Sequence, residues 1–335
     1  QTIGLMMSQN TGGVTGQGNM TFRVLHDRSK LPPEAQAVLK AAHGGFAVDR
    51  RADKGEVYFA LPGAGIIQLS RDLSNARMLP TNDAMRNTNM HNASIWADGE
   101  GTPYLAFPGN DIGKVFTTTL GGELVTTLDP PGKEMKFGPA AVNEYFAKDL
   151  KFIPTDVVFL HGRYFITTGY SALDYVLTAT VDTKDGVVVT WNDLAFGGKG
   201  TGPGQFGTGH GITITPERDT LAIADRPNSE IDYFTPGGEY KKTLDLPKGS
   251  LPCDVDFEAG YAAVGCLEGP DKTKGAPIYI LKDGEIVSTL MPKDDLGLAD
   301  FTHVHNAVLV QREGKFYVIA QAWNPGDFVV LEQVK

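Results

Sequence analysis

Four histidines stand at the openings of phrases that resemble one another: His43 in HGGFAV, His91 in MHNASIW, His210 in GTGHGITI and His305 in VHNAVLV. Two more phrases of this kind open on acids, Asp156 in DVVFL and Asp254 in DVDFE. Imidazole nitrogens and carboxylate oxygens are the usual donors to zinc, iron, copper and manganese. A single histidine at a strand start is ordinarily a hydrogen-bonded structural residue, whereas four brought to one place suit a divalent transition metal; three ligands with an open position are the catalytic arrangement for zinc, and four imidazoles suit copper or iron better. The two acids, with nearby carbonyls, would also suit a structural calcium ion. A hydrogen-bonded ring around trapped water is the rival use of the same six residues. His303 lies two residues before His305, on the same strand face under a period of two, and is a further candidate ligand. His26 and His161 read as structural or surface residues.

These donors are scattered along the chain without a short HxxxH or CxxC signature, so a fold must gather them. GHGITITPERDTLAIADRPNSEIDYFTPGGEYKKTLDL predicts strands at 211–215, 220–225, 230–235 and 240–246, joined by PERD, RPNS and PGGE turns. Four antiparallel strands with short turns make one propeller blade. Six such units recur at spacings of about 44 to 65 residues, which predicts an all-β, six-bladed β-propeller. The first strand of each blade lines the central channel, so the openers His43, His91, Asp156, His210, Asp254 and His305 are expected to form one ring. The last unit runs out of chain after three strands, and NMTFRVLHD is expected to supply its missing outer strand. Residues 20–335 then form one propeller domain behind an extension at 1–19. The insertion PPGKEMKFGPAAVNEYFAKDL suits a short helix in its second half.

Composition narrows the partners. Forty glycines and twenty prolines spread over 335 residues signal frequent turns. A net charge of -10 without a basic cluster argues against nucleic acid, and no apolar run reaches the roughly 18 to 20 residues of a membrane span. A small-molecule or peptide substrate is the expected partner. The start QTIGLMMSQNTGGVTGQGN reads like a mature end left by signal-peptide removal, which suggests a periplasmic or secreted protein. In PCDVDFEAGYAAVGC two strand-like runs flank a turn at Ala259 and Gly260, so Cys253 and Cys266 would face each other across a hairpin. A disulfide there is a geometric expectation that fits the same setting.

GTGPGQFGTGHGITITPERDTLAIADRPNSEIDYF closely resembles the NHL repeat, with its glycine-rich GQF lead and Ala-Asp-Arg turn. The order of units resembles the peptidyl-hydroxyglycine amidating lyase family over residues 20–335. That resemblance implies zinc held by His91, His210 and His305, a catalytic tyrosine at Tyr170 in FITTGYSALDYV, and Arg226 in ADRPN holding a substrate carboxylate. His43 has no counterpart in the family's pattern, and a family arginine of the first blade is replaced here by Leu61 or Pro62 in YFALPGAGII. The leading expectation is a metal-dependent lyase acting on a small α-hydroxy or carbinolamide-like substrate. The alternatives are a metal-dependent hydrolase, a copper or iron oxidative enzyme, and a non-catalytic NHL protein-binding module.

Overall fold

The computed structural model describes residues 12–334. Among the described residues, twenty-five strands form six antiparallel sheets arranged as the blades of a propeller. Blade 4 illustrates why: its strands Gly209–Ile214, Leu221–Asp225, Glu230–Phe234 and Tyr240–Asp245 coincide within a residue or two with the runs between the turn signals. Its two inner hairpins alternate between the neighbouring blades. Ile212, Leu221, Ile223 and Phe234 pack against Val158, Phe165 and Phe196 of blade 3, while Ala222, Ala224 and Ile231 pack against Val255, Val264 and Tyr279 of blade 5. The core therefore lies between blades, and central strands are apolar on both faces. Each fully buried Ile or Phe contributes about 1.5–3 kcal/mol.

Closure is as the sequence requires. Met20–His26 pairs antiparallel with Asp327–Gln333, and Phe22 and Val24 join the same buried cluster as Val318, Val329 and Leu331. The short strand Thr15–Gln17 adds to this sheet, within the stretch taken as an extension. The first eleven residues, including most of the segment that suggested a processed terminus, lie outside the described residues. The insertion after blade 2 carries the helix Ala140–Ala147, which buries Val142 and Phe146 against blade 3. No helix among the described residues is long and apolar enough to cross a membrane.

The expected disulfide is absent: Cys253 and Cys266 are both free and buried. The turn lies where expected, with positive φ at Ala259 and Gly260, and Asp256 pairs with Ala263. Continuing that register would set Cys253 opposite Cys266. Instead Pro252 bridges Cys266 and the Cys253 N–H donates to Gly265, a slip of one residue. Because side chains alternate faces, the slip turns Cys253 away from Cys266 and toward the channel. We expect neither thiol to react with an aromatic disulfide reagent in the native protein and both to react after unfolding. Reductant should leave stability unchanged, whereas a bond across this loop would contribute about 3 kcal/mol.

Candidate metal centre

The three histidines of blades 2, 4 and 6 are each aimed by a kink in the backbone. The pairing slips between Gly209 and Ile212 around His210, and between Val304 and Asn306 around His305. Around His91, Met90 bridges Gly109 while Ser94 faces Ala106, again one extra residue on the inner strand. A β-bulge of this kind bends the strand and redirects a side chain. All three imidazoles point into the channel with ring centroids 4.6–5.0 Å apart.

Each is then held in one tautomer. Nδ1 of His91 donates to the Thr155 carbonyl at 2.7 Å, Nδ1 of His210 to Cys253 at 2.6 Å, and Nδ1 of His305 to Gly44 at 2.7 Å. In every case the acceptor belongs to the following blade. A carbonyl can only accept, so the proton sits on Nδ1 and the Nε2 lone pair faces the axis. His91 Nε2 and His210 Nε2 stand 3.2 Å apart, and His305 Nε2 is buried with no partner. Burial pushes all three imidazoles well below their ordinary pKa, with neighbouring charge from His43, His91, His305 or Arg226 adding to it. Neutral rings with converging lone pairs are the arrangement of metal-binding histidines whose other nitrogen is fixed by an outer partner.

Tyr170 lies against His91 and His210 of this trio. Its hydroxyl lies 2.9 Å from both His91 Nε2 and His210 Nε2, 3.1 Å from His43 Nε2 and 3.2 Å from Arg226 Nη1. The Asn89 amide nitrogen donates to His43 Nδ1 at 3.1 Å, which leaves the His43 proton on Nε2, pointing at the phenol oxygen. Tyr170 thus accepts from His43 and Arg226, and its own proton serves one imidazole. Burial pushes its pKa up to about 12, opposed by the charge of Arg226. Gly169 carries the tyrosine over the ring because its Cα lies against the Gly209 backbone, where a Cβ would collide with the Gly209 carbonyl. His43 is lowered to about 4 by burial and by Arg226. Proximity alone groups His43, His91 and His305, whose nitrogens lie within 4.8 Å of one another; protonation separates them, since His43 turns an N–H to the phenol whereas the Nδ1–H rings turn acceptor Nε2 atoms inward, of which His210 Nε2 accepts from Arg226 and His305 Nε2 has no partner.

Arg226 is 9% exposed and does not pair with Asp225, its neighbour in sequence. Asp225 accepts instead from the Gly207 and Thr208 amides and from Asn228. The guanidinium contacts Tyr170, His210 Nε2 at 3.0 Å and Cys253 Sγ at 3.3 Å, and its Nε has no partner. It is a buried cation with no carboxylate partner among the described residues.

The two acids do not join this ring. Thr155 and Cys253, whose carbonyls accept from His91 and His210, stand level with the histidines, and Asp156 and Asp254 lie one residue further along. Asp156 accepts from Val157 N and Ile212 N; Asp254 accepts from Val255 N, Thr213, Asn92 and Asn306. Their oxygens are occupied by amide and hydroxyl donors that tie blades together. Burial raises both, Asp254 to about 6, and each acid's neighbouring carboxylate adds to the shift. They floor a separate cavity of about 770 Å³ at the other end of the channel, lined by none of the four histidines, Tyr170 or Arg226. His303 also stays out: its Nδ1 bonds the Leu267 carbonyl and its ring lies 5.8 Å from Trp323. Leu61 is fully buried in the blade 1 core, so no guanidinium replaces the missing one there. Asn89, Cys253 and Trp323, whose ring lies 5.3 Å from His43, were not anticipated. They come from three different blades, and the HN pairs at 91–92 and 305–306 were the one local signal of a second polar layer.

The fold and this cluster define a six-bladed β-propeller with a histidine group in its channel that could hold a metal ion. No family model and no curated protein sequence matches the chain. Solved structures do resemble it. A streptogramin B lyase superimposes with a TM-score of 0.52 at 12% identity, over 97% of this chain and 100% of that one. The virginiamycin B lyase of Staphylococcus aureus gives 0.51 at 14%, over 87% and 94%. A chain of a nidogen–laminin complex gives 0.53 at 14%, over 88% and 96%. At these identities the likeness establishes the fold.

Proposed function

We propose that this propeller is a metal-dependent lyase that cleaves the carbon–nitrogen bond of a small carbinolamide bearing a carboxylate. The observation that carries it is a set of three buried imidazoles, His91, His210 and His305, each holding its Nδ1–H against the next blade and so turning an acceptor Nε2 inward, with a buried tyrosine hydroxyl 2.9 Å from two of them and a buried arginine 3.0 Å from His210. Two of the structural neighbours are lyases by name, in keeping with catalysis on such a scaffold.

His91, His210 and His305 would hold a divalent cation, zinc by donor type. Bound there it supplies Lewis-acid polarisation of a substrate oxygen and favours the phenolate of Tyr170, effects worth several kcal/mol. Arg226 receives the substrate carboxylate. The Tyr170 oxygen, steadied by donors from His43 and Arg226, takes the proton of the substrate hydroxyl. As the C=O bond forms, the C–N bond breaks, the electron pair goes to nitrogen, and the proton returns from Tyr170 to that nitrogen. An amide and an aldehyde leave, with no oxidant or water consumed. His43 acts as a hydrogen-bond donor to the phenol and not as a fourth ligand.

The zinc-loaded protein should therefore release glyoxylate from an N-acyl-α-hydroxyglycine and leave the unhydroxylated N-acylglycine intact. Absence of release under metal saturation would remove this substrate class. Arg226→Met should raise KM for the acid roughly tenfold to a hundredfold, the cost of losing a charged hydrogen bond, and change KM for the methyl ester little. Equal losses on acid and ester would contradict the carboxylate role.

A further inference from the structure

Blade 4 holds a second cluster that the chemistry above does not use. Asp225 closes one strand and Glu230 opens the next; they face each other across the hairpin, and Asp232, opposite Ile223, lies on the same sheet face. Oxygens of the three lie within 4.8 Å of one another. Asp225 is 0% and Asp232 1% exposed. Three carboxylates so close and so buried require neutralisation. Among the described residues no lysine or arginine pairs with any of them. Lys199 is engaged by Asp174 at 3.0 Å and by the Gly207 carbonyl at 2.7 Å.

The donors present do not complete the shell. Asp225 accepts from the Gly207 and Thr208 amides and from Asn228, and Asp232 Oδ1 from the Thr243 hydroxyl at 2.8 Å, but Asp232 Oδ2 is buried and meets no N–H or hydroxyl donor, only the Glu230 carboxyl. Burial pushes Asp232 up to about 8, with the Thr243 bond opposing the shift and the charges of Glu230 and Asp225 and a hydrogen bond to the Glu230 carboxyl adding to it.

We infer that Asp225, Glu230 and Asp232 form a binding site for a hard divalent cation of the calcium class, seated at the base of the hairpin that carries Arg226. An all-oxygen, carboxylate-rich set without nitrogen or sulfur selects calcium or magnesium over zinc or copper. Both ends of the 226–229 turn are then tied to one ion. The cation holds in place the turn that presents the Arg226 guanidinium to the channel, so the site is structural and separate from the histidine ring.

The test is calorimetric titration of chelator-stripped protein with calcium chloride. The wild-type chain and the His210→Ala variant should each bind one calcium here. Asp232→Asn and Glu230→Gln, which keep shape and remove one charge, should each weaken binding by at least about tenfold while circular dichroism stays unchanged, because affinity follows the count of charged ligands. No binding up to about 10 mM calcium, ten times the weakest extracellular sites, would overturn the inference. If Asp232→Asn were then also more stable at neutral pH, a proton shared between Glu230 and Asp232 would take the cation's place. Undiminished calcium binding in both variants would overturn it equally, by placing the ion elsewhere.

Discussion

Tyr170→Phe should lower turnover of an α-hydroxyglycine substrate by about a thousandfold, in the middle of the range for loss of a positioned general base, while metal content stays at the wild-type level. The phenol oxygen is the point at which both imidazole lone pairs and both donors converge, so no other side chain in the cluster occupies its place. Its pKa, pushed up to about 12 in a metal-free, buried setting, means that the metal-free protein should show no tyrosinate near neutral pH. Adding zinc should produce the near-ultraviolet difference absorbance of one tyrosinate, absent in Tyr170→Phe. An unchanged rate in that variant would show that the proton goes elsewhere.

Replacing His91 by alanine should abolish tight metal binding and, with it, activity. His91 is fully buried and lies within reach of every other ring in the cluster, so its loss opens the centre of the proposed site. A ligand present at a thousand times its dissociation constant stabilises the folded state by about 4.1 kcal/mol. Zinc should raise the unfolding midpoint of the wild-type protein and leave that of His91→Ala unmoved. An equal rise in both would place the bound zinc outside the channel.

The architecture was open to sequence reasoning because each blade repeats one phrase of alternating residues and short turns, and because three terminal strands demanded a fourth. The site was open only in part. His91, His210 and His305 stand out by type and position, but the ring drawn through Asp156 and Asp254 was displaced by one residue. A bulge adds a residue to one strand without altering its apolar pattern, so the level at which a side chain enters the channel is invisible until the ladder pairs are known. The same slip explains Cys253: counting from the Ala259–Gly260 turn sets it opposite Cys266, and the bulge turns it to Arg226 instead. Tyr170 and Arg226 were reached through resemblance to the amidating lyases, since nothing in their local sequence announces that two loops from different blades meet over the histidines. Asn89, which sets the His43 proton, was missed for the same reason.

X-ray absorption at the zinc edge, on protein reconstituted with one zinc per chain and on its His210→Ala counterpart, tests the central claim most directly. The account predicts three imidazole nitrogens at about 2.0–2.1 Å in the wild-type protein and loss of the bound metal in the variant. Failure to retain zinc after reconstitution, or a coordination shell that does not change when His210 is removed, would contradict it.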